Sequence, residues 1–345
     1  MKKNPYTMIF GKEPSQTITR LLQTDEITEQ FLSDPPSQQI CMITGVRGSG
    51  KTVLLTEIAK KIGAEKNWIV TECNSSRNLL TGLASGLYHD HRLTAFFKSA
   101  KINLSFFGIG VEISRSEPIT DIEIAVRRMM ETVRDKKKKV LVTLDEASNT
   151  KQMREFASAF QILIRQDLPL YLLMTGLYEN IDVLQNHKAL TFLHRAPKVH
   201  LKPLNIGSMA ANYRKVLSVS EEDALQMARL TRGYPFAFQV LGYYTFEHGG
   251  QYKEALPQCI QYLEEYAYDK IWSELSRLDK RVLEGLSASK TRSVTELRKS
   301  LGMSPNQFGT YRTRLLKRGL VNGDEYGYLS LSLPFFESYI ETHRT

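Results

Sequence analysis

One eight-residue segment constrains the fold of this chain more than any other feature. Residues 45–52 are Gly-Val-Arg-Gly-Ser-Gly-Lys-Thr, and they stand between an apolar run, 39–44, and a helical pattern that begins at Val53. This is a G-x-x-x-x-G-K-[ST] motif in the strand–loop–helix order in which it forms a phosphate cradle. Its glycines let backbone N–H groups turn towards phosphate oxygens, and the following helix adds the positive end of its dipole. The sequence therefore predicts that the chain binds a nucleoside triphosphate.

The residues of this loop predict separate roles. Lys51 is expected to reach the β- and γ-phosphates, which makes it a catalytic as well as a binding residue, and the Thr52 hydroxyl is expected to ligate Mg²⁺. We assign nucleotide binding to the whole loop and the residue after it: Gly45, Val46, Arg47, Gly48, Ser49, Gly50, Lys51, Thr52 and Val53.

Short apolar segments alternate with amphipathic ones from residue 39 to about 202, which predicts an α/β fold with a parallel sheet flanked by helices. The expected strands are Ile40–Thr44, Trp68–Cys73, Val140–Leu144, Leu170–Thr175 and Lys198–Leu201. An insert at 101–114 alternates around two glycines and predicts a β-hairpin or two short edge strands.

The pattern of secondary structure predicted from the sequence changes twice after residue 202. Residues 203–268 have a wholly helical pattern, which indicates a helical lid after the nucleotide domain. From 269 onwards three helices precede an alternating ribbon at 320–331, the order of elements in a winged helix-turn-helix. The expected domains are therefore a P-loop core with its N-terminal segment, 1–202, a helical lid, 203–268, and a winged helix, 269–345.

An acidic pair follows the third expected strand. Asp145 and Glu146 come directly after Val140–Leu144, about ninety residues beyond the P-loop. Ligands of parallel α/β sheets bind at the carboxyl ends of the strands. Asp145 is therefore predicted to hold Mg²⁺ as a Walker-B aspartate does, and Glu146 to polarise the attacking water as a general base.

Two further residues are candidates for catalysis. Thr175 ends the next strand, where a polar group would sense the γ-phosphate, although a Thr before a Gly is also a common strand terminator. Arg195 precedes the last strand and is a candidate arginine finger towards a neighbouring subunit, although it would equally suit an ordinary surface position.

Composition limits the cellular context. The net charge is +9, which favours an anionic partner such as nucleic acid. The three cysteines have no metal-binding spacing and indicate reduced thiols. The N-terminus has no apolar signal region, and the apolar run at 168–177 is too short to span a bilayer, so we expect a cytoplasmic protein without a membrane partner.

These motifs together resemble a known family. The P-loop, Val140–Glu146, Leu170–Gly176, Gly233-Tyr234-Pro235 and the C-terminal pattern are similar to those of AAA+/STAND-type P-loop ATPases, in the group related to origin-recognition initiators. The resemblance implies ATP and Mg²⁺ as cofactors, and adenine contacts near Phe10, Gly233 and Pro235. Initiator-type lids carry a sensor arginine shortly after the glycine, where this chain has Phe236. This departure favours a slow switch over a cooperative ring.

The third C-terminal helix is the expected DNA reader. Its apolar residues fall on one side, and residue types that suit bases and phosphates fall on the other. The candidate DNA contacts are Asn306, Thr310, Thr313, Arg314 and Lys317. Residues 270–345 hold 13 Lys and Arg against eight Asp and Glu, a net +5, which favours double-stranded DNA as the partner.

The sequence thus predicts an ATP-hydrolysing switch whose nucleotide state controls a DNA-binding winged helix. Two alternatives remain open at this stage. One is a signalling or assembly ATPase of the STAND type, whose winged helix binds protein and whose self-association ATP would gate. The other is a transposition- or plasmid-linked ATPase that loads a partner onto DNA.

Overall fold

A computed structural model describes residues 3–8, 14–110 and 116–344. They form two units, each with its own apolar core. The sheet unit consists of residues 21–44 and 51–200. The helical unit consists of the N-terminal residues up to 20, residues 45–50 and residues from 201 onwards.

The sheet unit is built on a five-stranded sheet. Its strands are β1 (Ile40–Thr44), β2 (Trp68–Cys73), β3 (Lys139–Leu144), β4 (Leu170–Gly176) and β5 (Lys198–His200). All neighbouring pairs are parallel, in the spatial order β2-β3-β4-β1-β5. Every residue of β1 and β4 is buried, as expected for a parallel sheet covered by helices on both faces. The five predicted strands are confirmed, with each end within one residue.

Helices cover this sheet. They are α1 (Leu21–Leu32), α2 (Lys51–Gly63), α3 (Leu79–His89), α4 (Thr94–Ser99), α5 (Ile122–Asp135), α6 (Lys151–Arg165) and α7 (Tyr178–Gln185). The start of α5 shows how the sequence sets a boundary: the Asp121 side chain accepts the backbone N–H groups of Glu123 and Ile124. The buried residues of α5 recur at helical spacing, so one face packs on the core.

The insert differs from its prediction. Ser105–Phe107 forms one turn of 3₁₀ helix, and no strand occurs in its described part, residues 101–110. Residues 111–115 lie outside the described residues. Ile102, Leu104 and Ile109 are buried, and the Asn103 side chain donates to the carbonyl of Ser116. The alternation therefore marks residues that insert into the core from irregular chain.

The helical unit contains α8 (Ile206–Leu217), α9 (Glu221–Leu230), α10 (Pro235–Glu247), α11 (Tyr252–Leu263), a π-helical turn (Glu264–Tyr268) and α12 (Asp269–Ser273). The described N-terminal residues pack on these helices. Tyr6 is buried against Gly242 of α10, and its hydroxyl bonds the side chain of Asn212.

The C-terminal part of this unit follows the predicted order of elements. It comprises α13 (Arg277–Ala288), α14 (Val294–Ser300), α15 (Pro305–Arg318), β6 (Val321–Asn322), β7 (Ser330–Leu331) and α16 (Phe336–Thr342). The strands β6 and β7 are antiparallel, and a bridge joins Ser293 to Tyr328. Among the described helices, none is both long and apolar enough to cross a membrane.

Candidate functional site

The carboxyl edge of the sheet brings together three residues that the sequence marked as polar and functional. Thr52 lies in the first turn of α2, Asp145 follows β3, and Thr175 lies near the end of β4. The Thr52 hydroxyl donates to Asp145 Oδ2 at 2.7 Å, and the Thr175 hydroxyl bonds Asp145 Oδ1. A hydroxyl and a carboxylate thus stand side by side where a parallel α/β sheet binds its ligand.

The turn after Asp145 presents Glu146 to solvent. Glu146 has a positive φ of 56°, which a residue with a side chain adopts only when its surroundings enforce it. Its backbone N–H donates to Asp145 Oδ1 at 3.0 Å and to the Thr175 hydroxyl at 3.2 Å. The N–H of Ala147 donates to the carbonyl of Thr175 at 2.7 Å. Thr175 therefore holds the acidic turn in place.

Gly176 makes this arrangement possible. A Cβ at this position would lie 2.9 Å from the carbonyl oxygen of Ala147 and 2.9 Å from the side chain of Ile181. Any larger residue would push the acidic turn away from β4. The sequence pair Thr175-Gly176 is thus a polar anchor followed by a residue that permits close approach.

Residues 45–50 of the P-loop belong to the helical unit, where two side chains bind their carbonyl groups. The Tyr234 hydroxyl donates to the carbonyl of Arg47 at 2.7 Å. The Arg20 guanidinium donates to the carbonyl of Ser49 at 3.2 Å and to that of Lys202 at 2.7 Å. Burial raises the pKa of Tyr234 and lowers that of Arg20.

These two contacts fix the direction of neighbouring amides. A peptide group is planar and trans, so the N–H of one residue points opposite to the carbonyl of the residue before it. Tyr234 therefore orients the N–H of Gly48, and Arg20 orients the N–H of Gly50. The N–H of Ser49 donates to the carbonyl of Val46 at 3.1 Å and closes the turn between them.

The loop and the start of α10 approach closely at Gly48. Its φ is +76°, and a Cβ there would lie 2.3 Å from the Tyr234 hydroxyl and 2.9 Å from the Cβ of Phe236. Gly48 is required both for the backbone conformation and for this contact.

Arg232, two residues before Tyr234, contacts the C-terminal part of the helical unit. Its guanidinium donates to the carbonyls of Leu331 and Leu333 at 2.8 and 3.1 Å and to Glu337 Oε1 at 3.0 Å. Between the two residues, the carbonyl of Gly233 accepts the N–H of Leu204 at 2.8 Å. The segment 232–234 therefore contacts the P-loop at one end and the C-terminal elements at the other.

A histidine lies near the P-loop lysine within the sheet unit. His200 Nδ1 is 3.3 Å from the Thr44 hydroxyl. Partial burial lowers the pKa of His200, and the positive charges of Lys51 and Lys198 lower it further. The imidazole is therefore neutral at pH 7, and its pKa depends on the charges near Lys51.

The remaining predicted residues occupy varied positions. Lys51 opens α2 and Val53 follows in its first turn, while Pro235 takes the first position of α10. Arg195 is exposed at the end of a 3₁₀ helix, Thr191–Arg195. Phe10 lies outside the described residues.

The predicted DNA-contact residues share one helix but differ in their surroundings. Asn306, Thr310, Thr313 and Lys317 are exposed on α15, at spacings of three and four residues that align them on one face.

Arg314 has a partner inside the protein. Its guanidinium bonds Asp279 at 2.6 and 2.9 Å, and Asp279 is only 1% exposed. Asp279 also forms the capping box of α13 with Ser276. Arg314 thus joins α15 to α13, which the helical pattern of α15 alone did not indicate.

Sequence reasoning did not assign Arg20, Tyr234 and Arg232 their contacts. The sequence did mark the position of Tyr234, because this residue lies between a Gly and the Pro that opens α10. The carbonyls that it and the two arginines bind come from distant segments. Among the described residues, no group of three or more His, Cys, Asp or Glu side chains is arranged to hold a metal ion.

Comparison with known proteins agrees with the observed fold. A domain of unknown function, DUF8462, matches residues 265–340. No curated protein matches the chain.

Several solved archaeal structures share the architecture. The Walker-type ATPase PABY2304 of Pyrococcus abyssi is similar over 94% of this chain and 96% of its own, with 14% identity and a TM-score of 0.66. The ORC2 protein of Aeropyrum pernix, solved as ADPNP–ADP complexes, matches over 96% and 94%, with 13% identity and a TM-score of 0.61. Cdc6p of Pyrobaculum aerophilum matches over 97% and 96%, with 15% identity and a TM-score of 0.51. At these identities the likeness shows a shared fold.

Proposed function

We propose that this protein binds and hydrolyses ATP with Mg²⁺, and that its nucleotide state controls a DNA-binding winged helix. The observation that carries the proposal is the contact of the Thr52 hydroxyl with Asp145 beside a P-loop. Mg²⁺ takes oxygen ligands and is usually held by one or two protein groups together with phosphate oxygens and water. A hydroxyl and a carboxylate 2.7 Å apart fit that requirement.

Different residues of the chain supply different parts of the proposed reaction. The P-loop amides and Lys51 bind the phosphates, and Thr52 with Asp145 would hold Mg²⁺, whose positive charge would stabilise the reacting phosphoryl group. Glu146, exposed on a turn that Thr175 fixes, accepts the proton of the attacking water. Thr175 acts by positioning this turn. Arg195 remains our candidate for an arginine supplied to a neighbouring copy.

The segment 232–234 supports the switch. Tyr234 holds a P-loop carbonyl and Arg232 holds the C-terminal elements, so a shift of the loop on nucleotide binding moves both contacts. We assign residues 1–202 to the ATPase core, 203–268 to the lid and 269–345 to the winged helix. ATP and ADP then bias two placements of the winged helix. The similar ORC2 structure holds ADPNP and ADP, which supports adenine nucleotides as the ligands.

The exposed face of α15 supports DNA as the ligand of the winged helix. Asn306, Thr310, Thr313 and Lys317 provide hydroxyl, amide and ammonium groups for bases and phosphates. We place Arg314 outside this contact set, because its guanidinium is bound to Asp279. The net +5 charge of residues 270–345 adds the attraction that phosphates require.

The test is an ATPase assay with and without duplex DNA at two salt concentrations. We expect Lys51→Ala to abolish ATP binding and Glu146→Gln to keep binding while turnover falls at least about 100-fold. Glu65→Gln, at an exposed carboxylate after α2, is the matched control. Normal turnover in Glu146→Gln removes that residue from the mechanism. ATPase activity that DNA leaves unchanged favours the signalling alternative with a protein-binding winged helix.

Lys317→Ala tests the DNA face directly. Loss of one phosphate contact should weaken duplex binding and reduce the slope of log affinity against log salt by about one. Lys66→Ala, an exposed lysine of the sheet unit, should leave the slope unchanged. If both variants behave alike, α15 is not the reading helix.

A further inference from the structure

Five aromatic side chains contact one another on the surface of the helical unit. Phe236, Tyr243 and Tyr244 belong to α10, Tyr262 belongs to α11, and Tyr266 belongs to the π-helical turn. The distances between the centroids of touching rings range from 4.2 to 6.2 Å. These five side chains are named the aromatic face.

The aromatic face is not part of the interior. Four of its members pack against the apolar core while staying only half-buried, and Tyr266 is 48% exposed. Tyrosine at a surface offers a large apolar ring with a polar edge, and for this reason it is enriched where proteins bind partners.

The π-helical turn arranges the most exposed pair. The backbone N–H of Asp269 donates to the carbonyl five residues earlier, that of Glu264, which widens the helix at this point. Tyr262 and Tyr266 stack with centroids 4.2 Å apart and an angle of 22° between ring planes. Single π-helical turns inside helices occur frequently at functional sites.

The charge around the aromatic face is opposite to that of the whole chain. The net charge of the chain is +9, yet residues 233–269, which carry the face, contain a single Lys or Arg, Lys253. They contain five carboxylates: Glu247, Glu254, Glu264, Glu265 and Asp269.

Glu265 is close enough to act on the rings. Burial is the main cause that raises the pKa values of Tyr244 and Tyr262, and the neighbouring tyrosines and the Glu265 carboxylate add to it. The pKa of Glu264 is raised as well, by burial first; His343 opposes the shift, and Asp269 and Glu265 add to it. The surface is therefore electronegative as well as aromatic.

We propose that the aromatic face docks a cationic segment of a partner protein, whose Arg or Lys side chains lie over the tyrosine rings and pair with Glu265 and its neighbours. A cation over an aromatic ring is attracted by the ring's negative face, and nearby carboxylates strengthen that attraction. Single-stranded nucleic acid also stacks on aromatic rings, but its phosphates require a positively charged groove. The carboxylates here repel them. This role goes beyond the proposed nucleotide hydrolysis.

The test measures binding of a dye-labelled hexa-arginine peptide to the full chain by fluorescence anisotropy, without nucleotide. We expect Tyr266→Ala and Glu265→Gln each to weaken binding about three- to fivefold, the size of an exposed cation–ring or ion-pair contact. Tyr266→Phe keeps the ring and should bind like the unmodified chain. Tyr326→Ala removes a fully exposed tyrosine elsewhere in the same unit and is the matched control.

The outcomes separate the proposal from its rivals. Because the net charge of the chain is +9, binding of the peptide depends on local clusters of carboxylates, and the comparison with Tyr326→Ala shows whether the aromatic face is the cluster that binds it. Equal affinity in Tyr266→Ala and Tyr326→Ala overturns the proposal, provided that both melt at the temperature of the unmodified chain. Binding of oligothymidine that Tyr266→Ala abolishes also overturns it and makes the face a nucleic-acid surface.

Discussion

Removal of one hydroxyl group from Tyr234 should loosen the P-loop while leaving its motif intact. In Tyr234→Phe the ring remains packed at the start of α10, and only the donor to the carbonyl of Arg47 is lost. The carbonyl then has no fixed direction, and neither has the N–H of Gly48 that points opposite to it. Because this N–H is one of the amides that we propose bind phosphate, we expect weaker nucleotide binding.

The size of the effect follows from the environment of the bond. The hydrogen bond is short, 2.7 Å, and Tyr234 is buried. The bond is part-buried, and a hydrogen bond of this kind contributes about 0.5–1.5 kcal/mol net, so its loss should lower the free energy of unfolding by that amount. If about 1 kcal/mol of this serves to order the loop, the Kd for Mg·ATP rises about fivefold.

Tyr213→Phe is a matched control. The Tyr213 hydroxyl donates to the carbonyl of Phe238 at 2.8 Å, and Tyr213 is fully buried in the helical unit. The same atom is deleted from a bond that is wholly buried, so the loss of stability in urea should be at least as large. Isothermal titration with ATP and ADP should then show weaker binding only in Tyr234→Phe. Equal affinities in the two variants would refute the idea that Tyr234 orients the loop.

Three other perturbations test contacts of the P-loop, the ion pair between α13 and α15, and the charge near Lys51. Arg20→Gln removes donors to two carbonyls and should raise the Kd for Mg·ATP about fivefold in titration calorimetry, with Arg20→Lys intermediate. Arg314→Ala leaves the buried Asp279 carboxylate unpaired. Because the Arg314 side chain is 35% exposed, we expect the free energy of unfolding in urea to fall by about 2–4 kcal/mol. A fall below about 0.5 kcal/mol contradicts the assignment of Arg314 as the partner of Asp279. Since the pKa of His200 lies below its ordinary value of 6.5, the unfolded state binds the extra proton first. Its contribution to stability is therefore complete above 6.5 and is lost as the pH falls towards the folded pKa. Phosphates near Lys51 should raise that pKa in an NMR titration, and an unchanged value on ATP binding places the phosphates elsewhere.

The strands and the acidic edge could be predicted from the sequence because their signals are local. Continuous apolar segments such as Ile40–Thr44 are needed for a strand buried on both faces, and the parallel arrangement brings all strand ends to one edge. Because β3 and β4 are also adjacent in the sheet, polar residues that directly follow β3 and lie near the end of β4 are neighbours. The contact of Thr175 with Asp145 follows from this arrangement.

The partners of isolated charges could not be predicted in this way. Arg314 faces Asp279, 35 residues earlier, and Arg232 bonds a carbonyl 99 residues later. The helical pattern of α15 placed Arg314 beside its polar face, but whether that side meets solvent or another helix depends on packing between α13 and α15. The strands predicted for the insert are absent from its described residues, 101–110, because alternate burial arises in irregular chain as well as in strands.

Gly48 takes part both in the local conformation of the P-loop and in a contact with a segment far away in the sequence. Gly48 stands at a variable position of the G-x-x-x-x-G-K-[ST] motif, but its φ of 76° is a backbone conformation that favours glycine. The structure adds that the missing Cβ makes room for the Tyr234 hydroxyl, which would otherwise overlap it at 2.3 Å. A single absent side chain thus permits both the backbone conformation of the loop and its contact with Tyr234. It follows that the loop cannot change its backbone at Gly48 without moving Tyr234, and through segment 232–234 the contacts of Arg232 with the C-terminal elements.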